Sequence, residues 1–139
     1  MAVQTHNIEV QSRGDSELVD LTDRLASTIS GCGLKAGTVT LFVTGSTASL
    51  STIEFEPGAV RDVGLALERL APAAGHYFHH ATWGDDNGNA HVRACLMGPS
   101  LVVPFAEGRP LLGTWQQVVL LDFDTRPRQR RIVAQVLGE

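Results

Sequence analysis

Between His79 and Gly98 the chain reads HHATWGDDNGNAHVRACLMG, which holds three of its five histidines and two adjacent aspartates. Imidazole exchanges protons near neutral pH and is a common ligand of divalent metals. His79 and His91, with Asp85 and Asp86 between them, are therefore candidates for proton transfer or metal binding. The plainer alternative is that each ring only hydrogen-bonds a loop carbonyl, and His76 and His80 fit that description best. The polar, glycine-rich composition predicts a loop, with His79 and His80 on opposite faces of a short strand. His91 is expected to open a new strand directly after the NGNA turn, where a strand edge fixes a side chain yet leaves it exposed.

Three further groups could carry chemistry. TGSTAS, Thr44–Ser49, leaves a hydrophobic run, and the hydroxyls and main-chain N–H groups of Ser46 and Thr47 could surround a phosphate. It lacks both a P-loop lysine and a GxGxxG pattern, so a tight turn is the plain alternative. Among the carboxylates, Glu54 at a strand end could serve as base or metal ligand, whereas Glu56 is placed to face a helix dipole. RPRQRR, Arg126–Arg131, has four arginines in six residues. No aromatic residues interleave with them, so they predict a solvated turn with one arginine facing a bound anion, not a nucleic-acid surface.

These residues need a scaffold, and periodicity supplies one. HNIEVQS and SELVDL alternate apolar and polar residues about the turn RGD, which predicts an opening hairpin. Thr22 can cap a helix over Asp23 to Ser30, with Leu25 and Ile29 on its buried face and Gly31 and Gly33 as stop signals. GTVTLFVT is a strand with Val39, Leu41 and Val43 on one face, followed by a second extended segment over Gly45–Glu54. Pro57 opens a helix to about Leu70, with Val60, Val63, Leu67 and Leu70 in helical register. HVRACLM, SLVVPF, WQQVVLLDF and RRIVAQV then read as strands, and VVLLDF is apolar enough to be covered on both faces. Two helices among about seven strands make an α+β class.

Composition limits the possibilities. With 139 residues, 43% hydrophobic, the chain suits one domain over 1–139. Neither a membrane span nor a basic-then-apolar leader is seen, which predicts a cytoplasmic protein. A net charge of −4 offers no general attraction to nucleic acid or anionic membrane. Cys32 and Cys95 lack metal-type spacing and are expected to be buried small apolar residues.

SLVVPFAEGRPLLGTWQQV, Ser100 to Val118, closely resembles the signature of the YjbQ-like family, small proteins often named secondary thiamine-phosphate synthases. Ser100, Gly108, Gly113, Thr114, Trp115, Gln116 and Val118 fit that pattern, while Phe105 stands where an aliphatic residue is usual. The likeness extends through YFHH, NAHVRACLMGPS, STIEFEPGAVRD and the arginine-led RPRQRRIVAQVLGE. It implies a β-sandwich of seven or more strands with two to three outer helices, forming a homotrimer with sheets around the threefold axis. It also implies a pocket near subunit boundaries with His79, His91 and Glu54 as catalytic residues. Ser46, Thr47, Asn89, Thr114, Gln116 and Arg131 would contact substrate or anion. The reaction attached to the family name joins a pyrimidine diphosphate to a thiazole phosphate with loss of pyrophosphate. A divalent metal such as Mg²⁺ would assist, with His79, His91 and Asp62 as candidate ligands. Two departures stand out: Gly45 replaces the usual histidine, and the asparagine usual before the glutamate is missing. Two functions follow as alternatives: a site altered toward another substrate, or a non-catalytic trimer that binds a phosphorylated small molecule or a partner.

Overall fold

The computed structural model describes every residue, Met1–Glu139. In chain order the elements are β1 (Ala2–Ser12), β2 (Glu17–Asp20), α1 (Thr22–Gly31), β3 (Ala36–Val43), β4 (Ala48–Ile53), α2 (Pro57–Leu70), α3 (Phe78–Trp83), α4 (Gly88–Met97), β5 (Ser100–Ala106), β6 (Arg109–Pro110), β7 (Gln117–Asp122) and β8 (Arg128–Gly138). The strands form a five-stranded sheet, β1-β8-β3-β5-β6, and a three-stranded sheet, β2-β7-β4. This is the expected α+β sandwich, with four helices where two to three were expected. No helix is long and apolar enough to cross a membrane.

Alternation builds the core. Val39, Leu41 and Val43 of β3 and Ile132, Ala134 and Val136 of β8 are fully buried on one face of the large sheet. They meet Leu50, Val118 and Leu120 of the small sheet, together with Leu25 and Ile29 of α1. Each aliphatic side chain so buried contributes about 1.5–3 kcal/mol. The other face of β7 presents Val119 and Leu121 to Leu67 of α2 and to Ala90 and Ala94 of α4. The small sheet is thus the middle layer, and β7 is covered on both faces as its apolar run predicts.

The helix ends show which local signals operate. Pro57 opens α2, and the Glu56 carboxylate accepts the N–H groups of Gly58 and Ala59. Those two hydrogen bonds hold the Glu56 carboxyl below its usual range. Thr22 does not cap α1. Leu21 occupies that position, while the Thr22 hydroxyl donates to Asp20 and accepts from the Val118 N–H.

Three expectations are corrected. HNIEVQS and SELVDL are not a hairpin, because β1 pairs with β8 and β2 with β7. Gly14, Asp15 and Ser16 all have positive φ (79°, 51° and 64°) and pass the chain from one sheet to the other. A Cβ at Gly14 would meet the Asp124 carbonyl oxygen at 2.7 Å, so this turn has room only for glycine there. The stretch His79–Gly98 is mainly helical, not strand: it falls in α3 and α4, and only Gly84–Asn87, which holds Asp85 and Asp86, is a loop between them. Cys32 is buried as expected, but Cys95 is exposed.

Candidate functional site

The polar stretch folds as two short helices, and their junction brings His79 of α3 against His91 of α4. The ring centroids are 4.4 Å apart and tilted by 38°. His79 Nδ1 lies 2.9 Å from Asp85 Oδ1; a carboxylate oxygen accepts, so Nδ1 donates and the ring orientation is set. His80 is the structural histidine of the group. Its Nε2 accepts the Gly88 N–H at 2.9 Å, at the start of α4.

Burial lowers the pKa of His91, and the adjacent His79 lowers it further. Asp124, Asp85 and the main chain of Ser46 oppose the shift without cancelling it. His91 shares a cavity of about 260 Å³ with Gly45, Ser46, Ala48, Ala94, Cys95 and Pro99. Cys95 stands one turn beyond His91 on α4, so the thiol and the imidazole lie on the same helix face.

A charged network lies beneath the hydroxyl loop. Arg130, 5% exposed, forks onto Asp122 with Nε–Oδ2 at 2.7 Å and Nη2–Oδ1 at 2.8 Å. Nη2 also donates to Thr47 Oγ1 at 2.7 Å, and that hydroxyl donates to Asp124 Oδ2 at 3.0 Å. Arg128 pairs with Asp124 at 2.9 Å. Burial alone would raise the Asp124 carboxyl. Hydrogen bonds from the Thr125 N–H, the Thr47 hydroxyl and the Asn87 amide, with the charge of Arg128, outweigh it and hold Asp124 below the usual range.

The candidate residues divide between two ends of the small sheet. Ser46 and Thr47 lie at the histidine end, just before Ala48 pairs with Asp122. Asn89 lies in the first turn of α4, 5% exposed, and lines a neighbouring cavity of about 360 Å³ with Arg93, Asp86 and Glu68. Glu54 follows Ile53 at the opposite end, where Ile53 pairs with Gln117. The strand between places it roughly 20 Å from Ala48, at about 3.3 Å per residue. Thr114 and Gln116 share that far end: Gln116 Nε2 reaches Thr52 Oγ1 at 3.4 Å, and the Thr114 carbonyl accepts from Gln117. Asp62 sits on an exposed part of α2, and Arg131 is exposed on β8 opposite Glu9. One chain therefore joins His79, His91, Ser46 and Thr47, and leaves Glu54, Thr114, Gln116, Asp62 and Arg131 elsewhere.

No three His, Cys, Asp or Glu side chains are grouped closely enough to hold a metal ion. Asp62 does not join the histidines, and no oxygen-rich set suited to Mg²⁺ forms beside them. Sequence reasoning missed Arg130, Asp122 and Asp124. Alternation held the signal for the arginine: Arg130 is two residues before buried Ile132 and shares its face, whereas Arg131 points outward.

Residues 6–139 match the family model described as UPF0047 protein YjbQ-like. A UPF0047 protein of Methanothermobacter thermautotrophicus is 32% identical over 139 residues, covering 100% of this chain and 95% of that one. A YbjQ-like protein of unknown function from Sulfolobus solfataricus superposes with a TM-score of 0.88 at 29% identity, covering 99% of this chain and 100% of that one. A hypothetical protein from Aeropyrum pernix superposes with a TM-score of 0.90 at 28% identity, covering 98% and 99%.

Proposed function

The chain belongs to the YjbQ-like family UPF0047, and from that premise we propose that its histidine pair binds a phosphorylated small molecule and exchanges protons with it. The observation that carries the reading is the stacking of His79 on His91 at 4.4 Å, with His91 lining the cavity whose wall is the Gly45–Ser46 loop. Burial favours the neutral form of His91, which can accept a proton at neutral pH. Asp85 orients His79, and the Ser46 hydroxyl offers a donor to the phosphate.

The active assembly in this proposal is a homotrimer. Val3, Phe42, Val102 and Leu137 are 44–62% exposed on the outer face of the large sheet, among polar residues such as Thr40 and Gln135, and a copy of the chain would cover them. Glu54, Thr114 and Gln116 lie too far along the small sheet to act with the histidines of their own subunit. They would approach the histidine pair of a neighbouring one.

The specific reaction is the condensation the resemblance implies. The bond from the pyrimidine methylene to the bridging oxygen breaks as the thiazole nitrogen attacks, and N–H and O–H donors facing the cavity receive the departing pyrophosphate. A second reading, binding without turnover, is favoured by the lack of any side chain at Gly45: the loop brings no third proton-transferring group to the pair.

Pyrophosphate release from the two precursors, measured beside calorimetric binding of pyrophosphate, separates the readings. Release that His91→Ala abolishes, with the assembly unchanged by light scattering, supports the enzyme. Binding without release supports the binder, and the absence of both removes the reading.

A further inference from the structure

Gly45 raises a question that its backbone does not answer. Its φ lies outside the left-handed region, so any residue could adopt its conformation. What excludes a side chain is Arg130: a Cβ at position 45 would stand 2.8 Å from Nη1 and 3.9 Å from Cζ. The guanidinium end is not free to swing aside, because Nε and Nη2 are fixed by Asp122 and Thr47. Nη1 itself has no hydrogen-bond partner in the protein, although the arginine is 5% exposed and its other two nitrogens are engaged. The main-chain N–H groups of Ser46 and Thr47 are likewise without a partner, and Gly45 and Ser46 are exposed. Nη1 and these two amides therefore border one short loop, whose Gly45 and Ser46 line the His91 cavity while Thr47 and Arg130 lie buried behind them.

We propose that Arg130 is the anion-holding residue of this site. Its Nη1, uncovered by the missing side chain at position 45, and the Ser46 and Thr47 amides receive one tetrahedral oxyanion, the phosphate of a phosphomonoester. The inference rests on the reading that the histidine site takes a phosphorylated molecule, and it names the groups that recognise the phosphate. The charges around the loop favour a single phosphate held by directed hydrogen bonds over a diffuse polyanion surface. Asp122 and Asp124 are matched by Arg130 and Arg128, so there is no surplus of positive charge, only unpaired donors. An arginine stays charged at any pH the protein survives, so the contact does not depend on histidine titration.

Gly45→Ala is the decisive variant. It adds one methyl group against Nη1 and leaves the Asp122 pair intact, whereas Arg130→Gln would strip buried Asp122 of its partner and endanger folding. Inorganic phosphate is titrated calorimetrically into the wild type, Gly45→Ala and His91→Ala, with thermal unfolding as the folding control. Alkylation of Cys95, which lines the same cavity, reports occupancy independently. The expected result is phosphate binding by the wild type that slows Cys95 alkylation, and at least a tenfold weaker affinity in a folded Gly45→Ala. Equal affinity in the wild type and Gly45→Ala, with loss in His91→Ala, overturns the role of Arg130 and leaves the histidine reading standing. No phosphate binding by the wild type overturns both.

Discussion

Arg93 and Arg130 are each 5% exposed, yet the surroundings use their donors differently. Arg93, between α4 and the end of α2, spends one nitrogen on each of three partners: Nε on the Ala71 carbonyl, Nη1 on the Ser16 hydroxyl and Nη2 on Glu68. It ties the turn after β1 to two helices. Arg130 concentrates two nitrogens on Asp122 and Thr47 and leaves Nη1 without a partner. A buried guanidinium with each of its three nitrogens engaged is a brace. One held rigidly with a donor to spare is organised toward something outside the chain.

The sharpest test of that contrast removes each arginine's carboxylate. Asp122 is fully buried, so Asp122→Ala leaves the Arg130 charge with only Asp124 at 3.9 Å and is expected to cost about 3–5 kcal/mol by urea denaturation. Glu68 is half exposed, and Arg93 keeps two other acceptors, so Glu68→Ala is expected to cost under about 1 kcal/mol. Equal losses would erase the distinction between brace and site. Thr47→Val comes next. It deletes the hydroxyl that links Arg130 to Asp124 but keeps the side-chain shape, and about 1–3 kcal/mol is expected because one buried acceptor loses its donor. A change within a few tenths would mean that Arg128 alone suffices for Asp124.

The same contrast shows where sequence reasoning ends. β3 and α2 were legible because their apolar residues are large and recur at 2.0 or 3.6 residues. α4 was misread as a strand because its buried face consists of Gly88, Ala90, Ala94 and the two polar residues Asn89 and Arg93. Small side chains and a satisfied arginine make a helix face that no hydrophobicity pattern marks. His79 and His91 were legible as residue types, but their convergence depends on the α3–α4 junction, which the strand reading denied. Glu54 was grouped with them by its chemistry. The register of β4 on β7 puts it at the other end of the sheet, and pairing partners are nonlocal. Arg131 and Arg130 differ by one position, and in a strand one residue exchanges solvent for the core face, so composition alone does not separate them.

The smallest expected effect bears on His91, the group that links the buried network to the cavity. Burial and His79 depress its folded-state pKa, so the folded protein takes up a proton at lower pH than the unfolded chain does. Stability from this group is therefore complete above the usual imidazole value of about 6.5. It declines as pH falls from there through the lower folded value, where the unfolded state binds more protons. Urea midpoints measured from pH 8 to pH 5 should fall in the wild type and flatten over that window in His91→Gln. Asp124 is also depressed, but its contribution begins to be lost only as pH falls through the carboxylate range, well below where that of His91 begins to decline. If the wild type and His91→Gln lose stability in parallel, the proton uptake belongs to another group. The imidazole beside the cavity is then not held toward its neutral form, and the case for His91 as a proton acceptor near neutral pH fails with it.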